Sequence, residues 1–178
     1  DYALFGFHGS FINITDGENT YMRSATSVCN EPLNEYTLIP TRQQGFISRD
    51  ELANIEIVEP MSFTKGCRLM KIPNASRLKN ATFCNSFQYG HMLWDLKNDP
   101  EQLNPVDNPE VEAKLLNNMI KFMKETDAPI EQFQRVGIDP NCIYDKEKIL
   151  EERKNKIGFD NFELTAKYKW TSDAKSMF

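Results

Sequence analysis

The 178 residues carry a formal net charge of -5 and are 40% hydrophobic, which is enough apolar material for one sizeable core and a tail. Lys and Arg form no cluster, which argues against a surface that tracks nucleic-acid phosphates, so no nucleic acid partner is expected. No apolar run approaches the roughly 18 to 20 residues that a membrane-spanning helix needs, so no membrane partner is expected either, and the chain reads as soluble, with cytoplasm favoured over export.

Tyr2 to Thr15 reads as strand with a glycine-rich interruption at Phe5-Gly6-Phe7-His8-Gly9. Asp1 leads straight into this run, so the chain is expected to begin inside a longer parent. Asp16-Gly17 is a turn pair, and Thr20-Tyr21-Met22-Arg23 returns as the second arm of a β-hairpin. Glu35 to Pro40 reads as an edge strand ended by its proline, and Thr41 to Ser48 as a polar connection. Ser48 with Glu51 three residues later makes a capping box that opens a short helix ending near Asn54. Short strands are expected at Ile55 to Val58 and at Arg68 to Pro73, followed by a polar loop or helical turn over residues 74–85.

Met92, Trp94 and Leu96 alternate with His91, Leu93 and Asp95, a strand that puts Trp94 at the centre of one face. Lys97-Asn98-Asp99-Pro100 ends it, because proline offers no ladder donor and Asn and Asp bond back to their own backbone. Asn108-Pro109 then supplies a cap and a first-turn proline for a helix over Val111 to Met123. Its stripe of Val111, Leu115, Leu116, Met119, Ile120, Phe122 and Met123 suits a helix lying on a sheet, and a stripe of that size contributes on the order of 10 kcal/mol before conformational entropy. Asp127-Ala128-Pro129 starts a second short helix through Phe133, stopped at Gly137. Asp145 to Lys156 forms a third, highly charged helix whose apolar anchors are Ile149, Leu150 and Ile157. With the aromatic tail from Phe159 to Phe178 it is expected to dock on a surface outside the chain, since alone it buries too little.

The four cysteines, Cys29, Cys67, Cys84 and Cys142, have neither zinc-like spacing nor the density of a disulfide framework, and read as thiols. Sequons at Asn13, Asn74 and Asn80 matter only in a secretory pathway. His8 and His91 are the only histidines. His91, beside the Trp94 strand and without catalytic neighbours in sequence, reads as a packing residue. Asp107-Asn108 and Asp160-Asn161 read as structural, since a hard cation needs several converging oxygens.

Two runs carry a family resemblance. Leu93-Trp94-Asp95-Leu96-Lys97-Asn98-Asp99-Pro100-Glu101-Gln102-Leu103-Asn104 resembles the C-terminal signature of the sulfatases, Leu-Tyr-Asp-Leu-x-x-Asp-Pro-x-Glu-x-x-Asn followed by a helix, with Asn104 one place short of the final Asn. Trp94 replaces Tyr and Gln102 replaces Glu, which keep an aromatic anchor and a hydrogen-bonding group. Phe5 to Arg23 is similar to Phe-Gly-x-His-Gly-x-x-x-Asn-Val-Thr-Asp-Gly-x-x-x-Tyr-Met-Arg, found just past the catalytic domain in one bacterial branch of that family.

The resemblance implies a parent that hydrolyses sulfate esters, with a formylglycine nucleophile made from Cys-x-Pro-Ser-Arg or Cys-x-Ala-x-Arg and a calcium ion to hold the sulfate oxygens. None of the four cysteines has that context, so no catalytic residue, metal ligand or cofactor is expected in this chain, and calcium and formylglycine belong to the missing catalytic domain. The implied partners are that N-terminal catalytic domain and, through it, a sulfated small molecule or carbohydrate. The glycine-flanked region of His8, with Gly9 and Asn13, borders the active-site mouth in the resembling family, so His8 reads either as substrate-facing or as structural. Trp94, Asp95, Asp99 and Pro100 read as structural anchors.

The expected fold is α+β: a small antiparallel sheet of about four strands packed against a long helix, with a C-terminal helical extension. Residues 1–142 form the main domain, with the hairpin in 1–24 and the anchor strand and long helix in 89–126, and residues 143–178 form the extension. Two other readings stay open, the C-terminal domain of a related phosphonate or phosphodiester hydrolase and a free-standing binding module.

Overall fold

The structure, a computed structural model, describes residues 1–42, 45–73 and 86–155. Among these, the strands are β1 (Ala3–Gly6), β2 (Ile12–Thr15), β3 (Asn19–Arg23), β4 (Asn34–Thr37), β5 (Thr41–Arg42), β6 (Gly45–Phe46), β7 (Glu56–Val58), β8 (Leu69–Pro73) and β9 (Met92–Asp95). The α-helices are α1 (Arg49–Leu52), α2 (Pro109–Glu125), α3 (Ile130–Arg135) and α4 (Lys146–Lys154). The fold is α+β, and its centre is a four-stranded antiparallel sheet in the order β1-β2-β3-β9, with α2 across one face.

Local chemistry builds the hairpin between β2 and β3. Asp16 Oδ1 accepts from the amides of Glu18 (3.1 Å) and Asn19 (2.8 Å), and Gly17 takes the left-handed conformation that the turn requires, φ 89°. The register that follows aligns Ile14, Tyr21 and Leu93 across three strands, all buried, and this row faces α2. Asn13, Met22 and Met92 align on the opposite face, and Thr20 lies beside Trp94 there. Trp94 is buried, but it lies on the face away from the long helix; the helix packs on its neighbour Leu93.

The turn after β9 closes on its own side chains. Asp95 Oδ1 accepts from the amides of Lys97 and Asn98, and Asp99 Oδ2 accepts from the amide of Asn104 at 2.6 Å. Pro100 is exposed at its tip. Val106 N–H then donates to Leu93 O at 2.7 Å, covering part of the free edge of β9. Asn108 caps α2 by accepting from Val111 N–H at 3.2 Å, and Leu115, Leu116, Met119 and Met123 enter the core at helical spacing.

The charged helix α4 does not wait for an outside surface. Ile149 is fully buried in the same core as Ile14 and Leu116, Asp145 caps the helix by accepting from Lys148 N–H at 2.9 Å, and α4 packs along α2. The expectation that it lacked a surface failed because charge counted against burial in the sequence, whereas two of those charges are buried-network partners here, described below.

A second sheet of three strands, β4-β8-β7, joins the strands expected separately between residues 34 and 73, and the stretch from Thr41 to Ser48, expected as a polar connection, instead carries the two-stranded ribbon β5-β6, because Thr41 and Arg42 pair with Phe46 and Gly45. The capping box at Ser48 forms as its spacing requires, with Ser48 Oγ accepting from Glu51 N–H at 3.3 Å. The cover of this part is thin: Leu69 and Ile72 are buried, while Ile57, Leu38, Ile39 and Phe46 stay exposed. The loop expected over 74–85 with its sequons and Cys84, and the tail from Phe159 with Asp160-Asn161, lie outside the described residues.

Candidate functional site

Two places gather the polar side chains that a ligand could use. The first is the loop joining β1 to β2, which carries His8 and Gly9. Ser10 N–H donates to Phe7 O at 2.9 Å, closing a turn in which Gly9 is buried with φ 80° and His8 is exposed. A Cβ on Gly6 would stand 2.9 Å from Phe11 O, so only glycine lets the chain fold back here. Beneath the turn, Asn30 Nδ2 donates to Gly9 O at 2.6 Å, and Asn30 Oδ1 accepts from Arg135 Nη1 at 3.0 Å. Asn30 is fully buried with φ 56°, a conformation that asparagine tolerates better than most residues. Asn13 stands apart from His8 and Gly9 as a strand residue on the face away from α2; it is 8% exposed, and its Oδ1 has no hydrogen-bond partner among the described residues.

The second place is a cavity of about 150 Å³ walled by Tyr21, His91, Leu93, Asp107, Glu112 and Arg153. Tyr21 O–H donates to Glu112 Oε1 at 2.8 Å, and Arg153 Nη2 donates to Glu112 Oε2 at 2.8 Å. Arg153 also pairs with Asp107. Next to it Arg23, fully buried, forks onto both oxygens of Glu152 at 2.8 and 3.1 Å. Its remaining donors reach Tyr21 Oη and the carbonyls of Val136 and Gly137. Burial opposes the Arg23 charge, but Tyr21 and Glu152 outweigh it, so the guanidinium is held more firmly protonated than usual. Burial, with Glu112 next, pushes the Tyr21 phenol well above its ordinary range, which keeps it a donor.

His91 is 2% exposed and lies against this network. Its Nδ1 accepts from the backbone N–H of Ser24 at 3.1 Å, which places the proton of the neutral ring on Nε2. Burial, and then Arg23 and Arg153, hold it well below the usual imidazole range. A ring kept neutral by burial and by two nearby cations, with one nitrogen occupied by the backbone, is suited to packing and poorly suited to moving protons.

Sequence reasoning missed Glu112, Arg23, Arg135 and Arg153. Glu112 stands three and four residues before Leu115 and Leu116, on the apolar stripe itself, and Arg23 stands two residues after Tyr21 on the core face of its strand. A charge at a core position of either period was the available signal. Among the described residues no group of three or more His, Cys, Asp or Glu is placed to hold a metal ion, and Cys29, Cys67 and Cys142 are free thiols. No helix among them is long and apolar enough to cross a membrane. Comparisons with protein-family models, curated proteins and solved structures give no match.

Proposed function

We propose that this chain is the C-terminal domain of a sulfatase, one that borders the active site and supports a catalytic domain carrying the formylglycine and the calcium ion. The observation that supports the reading is the register of the central sheet. The two runs that resemble the family, Phe5 to Arg23 and Leu93 to Asn104, are some seventy residues apart, yet they pair as neighbouring strands, with Thr20 opposite Trp94 and Tyr21 opposite Leu93. Two independent resemblances in one ladder, followed by the expected helix, are more consistent with one inherited unit than with two chance likenesses. The partner is the parent's own N-terminal catalytic domain, and the ligand reached through it is a sulfated small molecule or carbohydrate. In this reading the His8–Ser10 turn lies at the rim and shapes substrate choice, while the bond-breaking groups come from the catalytic domain.

The test is hydrolysis of an aryl sulfate by the natural polypeptide that contains this chain, alongside the chain alone. The reading expects calcium-dependent turnover by the former and none by the latter. Turnover by the chain alone, abolished by substituting one of its own residues, would overturn it.

A further inference from the structure

Helix α4 is held to the body by charge more than by apolar surface. Ile149 is its one buried side chain, and Leu150 is 36% exposed, whereas α2 sinks Leu115, Leu116, Met119, Ile120 and Met123 into the core. Across the interface run ion pairs: Glu152 with Arg23 of β3, Arg153 with Glu112 of α2 and with Asp107 ahead of it, and Lys146 with Glu110 of α2 at 2.7 Å. His91 lies where these pairs meet, because it walls one cavity with Tyr21, Asp107, Glu112 and Arg153 and stands within the field of Arg23.

Only the neutral ring suits that position. Its Nδ1 accepts from Ser24 N–H at 3.1 Å, and a proton on Nδ1 would set donor against donor. Ser24 Oγ, 3.0 Å away, can accept from the charged ring but brings no charge to offset two guanidiniums. The carboxylates in reach, Asp107, Glu112 and Glu152, are each already paired with an arginine. A third cation beside Arg23 and Arg153 is therefore met by moving one of them into water. Arg23 sits on β3, laddered on both sides, but Arg153 sits on the helix with a single apolar anchor, so α4 is the element that yields at least cost.

We propose that α4 is an acid-released latch: proton uptake by His91 frees the helix from the sheet end while the central sheet and α2 stay folded, uncovering Tyr21, Arg23 and Glu112. The shut form leaves His91 without the proton, and the open form binds it below about pH 6.5, so each further pH unit favours opening about tenfold. Protonation of Asp107, Glu112 or Glu152 works in the same direction but belongs to the carboxylate range, which leaves His91 as the trigger nearest neutrality. The latch does not depend on the sulfatase reading.

The test is hydrogen exchange followed by mass spectrometry on the chain between pH 8 and pH 5, with labelling times scaled to the intrinsic rate at each pH. Protection over residues 149–154 is expected to fall below about pH 6.5 and to be lost by the end of the range, while residues 115–120 of α2 stay protected. His91→Asn keeps an acceptor for Ser24 N–H and has nothing to titrate there, so its α4 should stay protected throughout. Ile149→Ala removes the apolar anchor and should display the open form at pH 8, with α4 exchanging freely and α2 protected. If His91→Asn does not fold, imidazole NMR of the wild type decides instead, and His91 should take up its proton in the same step in which α4 loses protection. Protection lost from α4 and α2 together, an α4 still protected at pH 5, a His91→Asn variant that opens at the wild-type pH, or His91 protonation out of step with opening would each overturn the latch.

Discussion

The surroundings of Arg23 and Arg135 treat the same buried cation in opposite ways. Around Arg23 every donor is used: a carboxylate fork on Glu152, a phenol, and two carbonyls at the end of α3. Around Arg135 the acceptors among the described residues are two side-chain amides, and no carboxylate among those residues meets the charge. The first arrangement joins β3, α4 and the end of α3 and serves the architecture, since a matched buried pair contributes little net stability but is costly to break. The second costs stability where it stands, beneath the turn that carries His8.

Breaking the two regions separately is the strongest way to test that contrast. Arg23→Gln strands Glu152, the Tyr21 hydroxyl and two carbonyls, and should cost about 3 to 5 kcal/mol, whereas Arg135→Gln removes an unmatched cation and should cost less than about 2 kcal/mol. Urea midpoints measure both, and equal losses would erase the distinction. Trp94→Ala, on the sheet face opposite that of Arg23, should lose about 3 to 5 kcal/mol as a buried aromatic truncation; a loss under about 1 kcal/mol would place that face outside the stabilising core.

Protonation sharpens the picture around Arg23. The folded protein holds His91 neutral, well below the ordinary imidazole range, while the unfolded chain takes up a proton near pH 6.5. The unfolded state therefore binds more protons as the pH falls below that value, and stability should be flat above it and drop by about 1.4 kcal/mol per pH unit below it. His91→Asn keeps an acceptor for Ser24 N–H and should flatten that slope relative to wild type. Smaller still, Gln132→Glu should raise stability by about 1 kcal/mol by matching Arg135, and Lys97→Ala on the exposed turn should change it by less than about 0.5 kcal/mol. A destabilised Gln132→Glu would mean that Arg135 is already neutralised.

Much of the fold was legible because local rules and the tertiary structure agree. Asp16-Gly17, the Ser48 capping box, Asn108-Pro109 and Asp127-Ala128-Pro129 each specify their turn or cap through nearest-neighbour chemistry, and each stands where that chemistry puts it. The face that Trp94 occupies was not legible, since alternation separates two faces without saying which of them meets the helix. Nor was the docking of α4. Its composition is that of a solvated helix, and only the meeting of Arg153 with Glu112 and of Glu152 with Arg23, pairs far apart in sequence, turns those charges inward. The buried Arg135 beneath the turn of His8 and Gly9 was not legible, because it lies more than a hundred residues away and reads as an ordinary helix-end cation.

The proposed assignment as a sulfatase domain is tested most directly by peptide mass mapping of the natural polypeptide that carries this chain. The account predicts, in the same polypeptide, a cysteine within Cys-x-Pro-Ser-Arg or Cys-x-Ala-x-Arg converted to the aldehyde of formylglycine. A polypeptide that contains this chain and no such cysteine or aldehyde would contradict it.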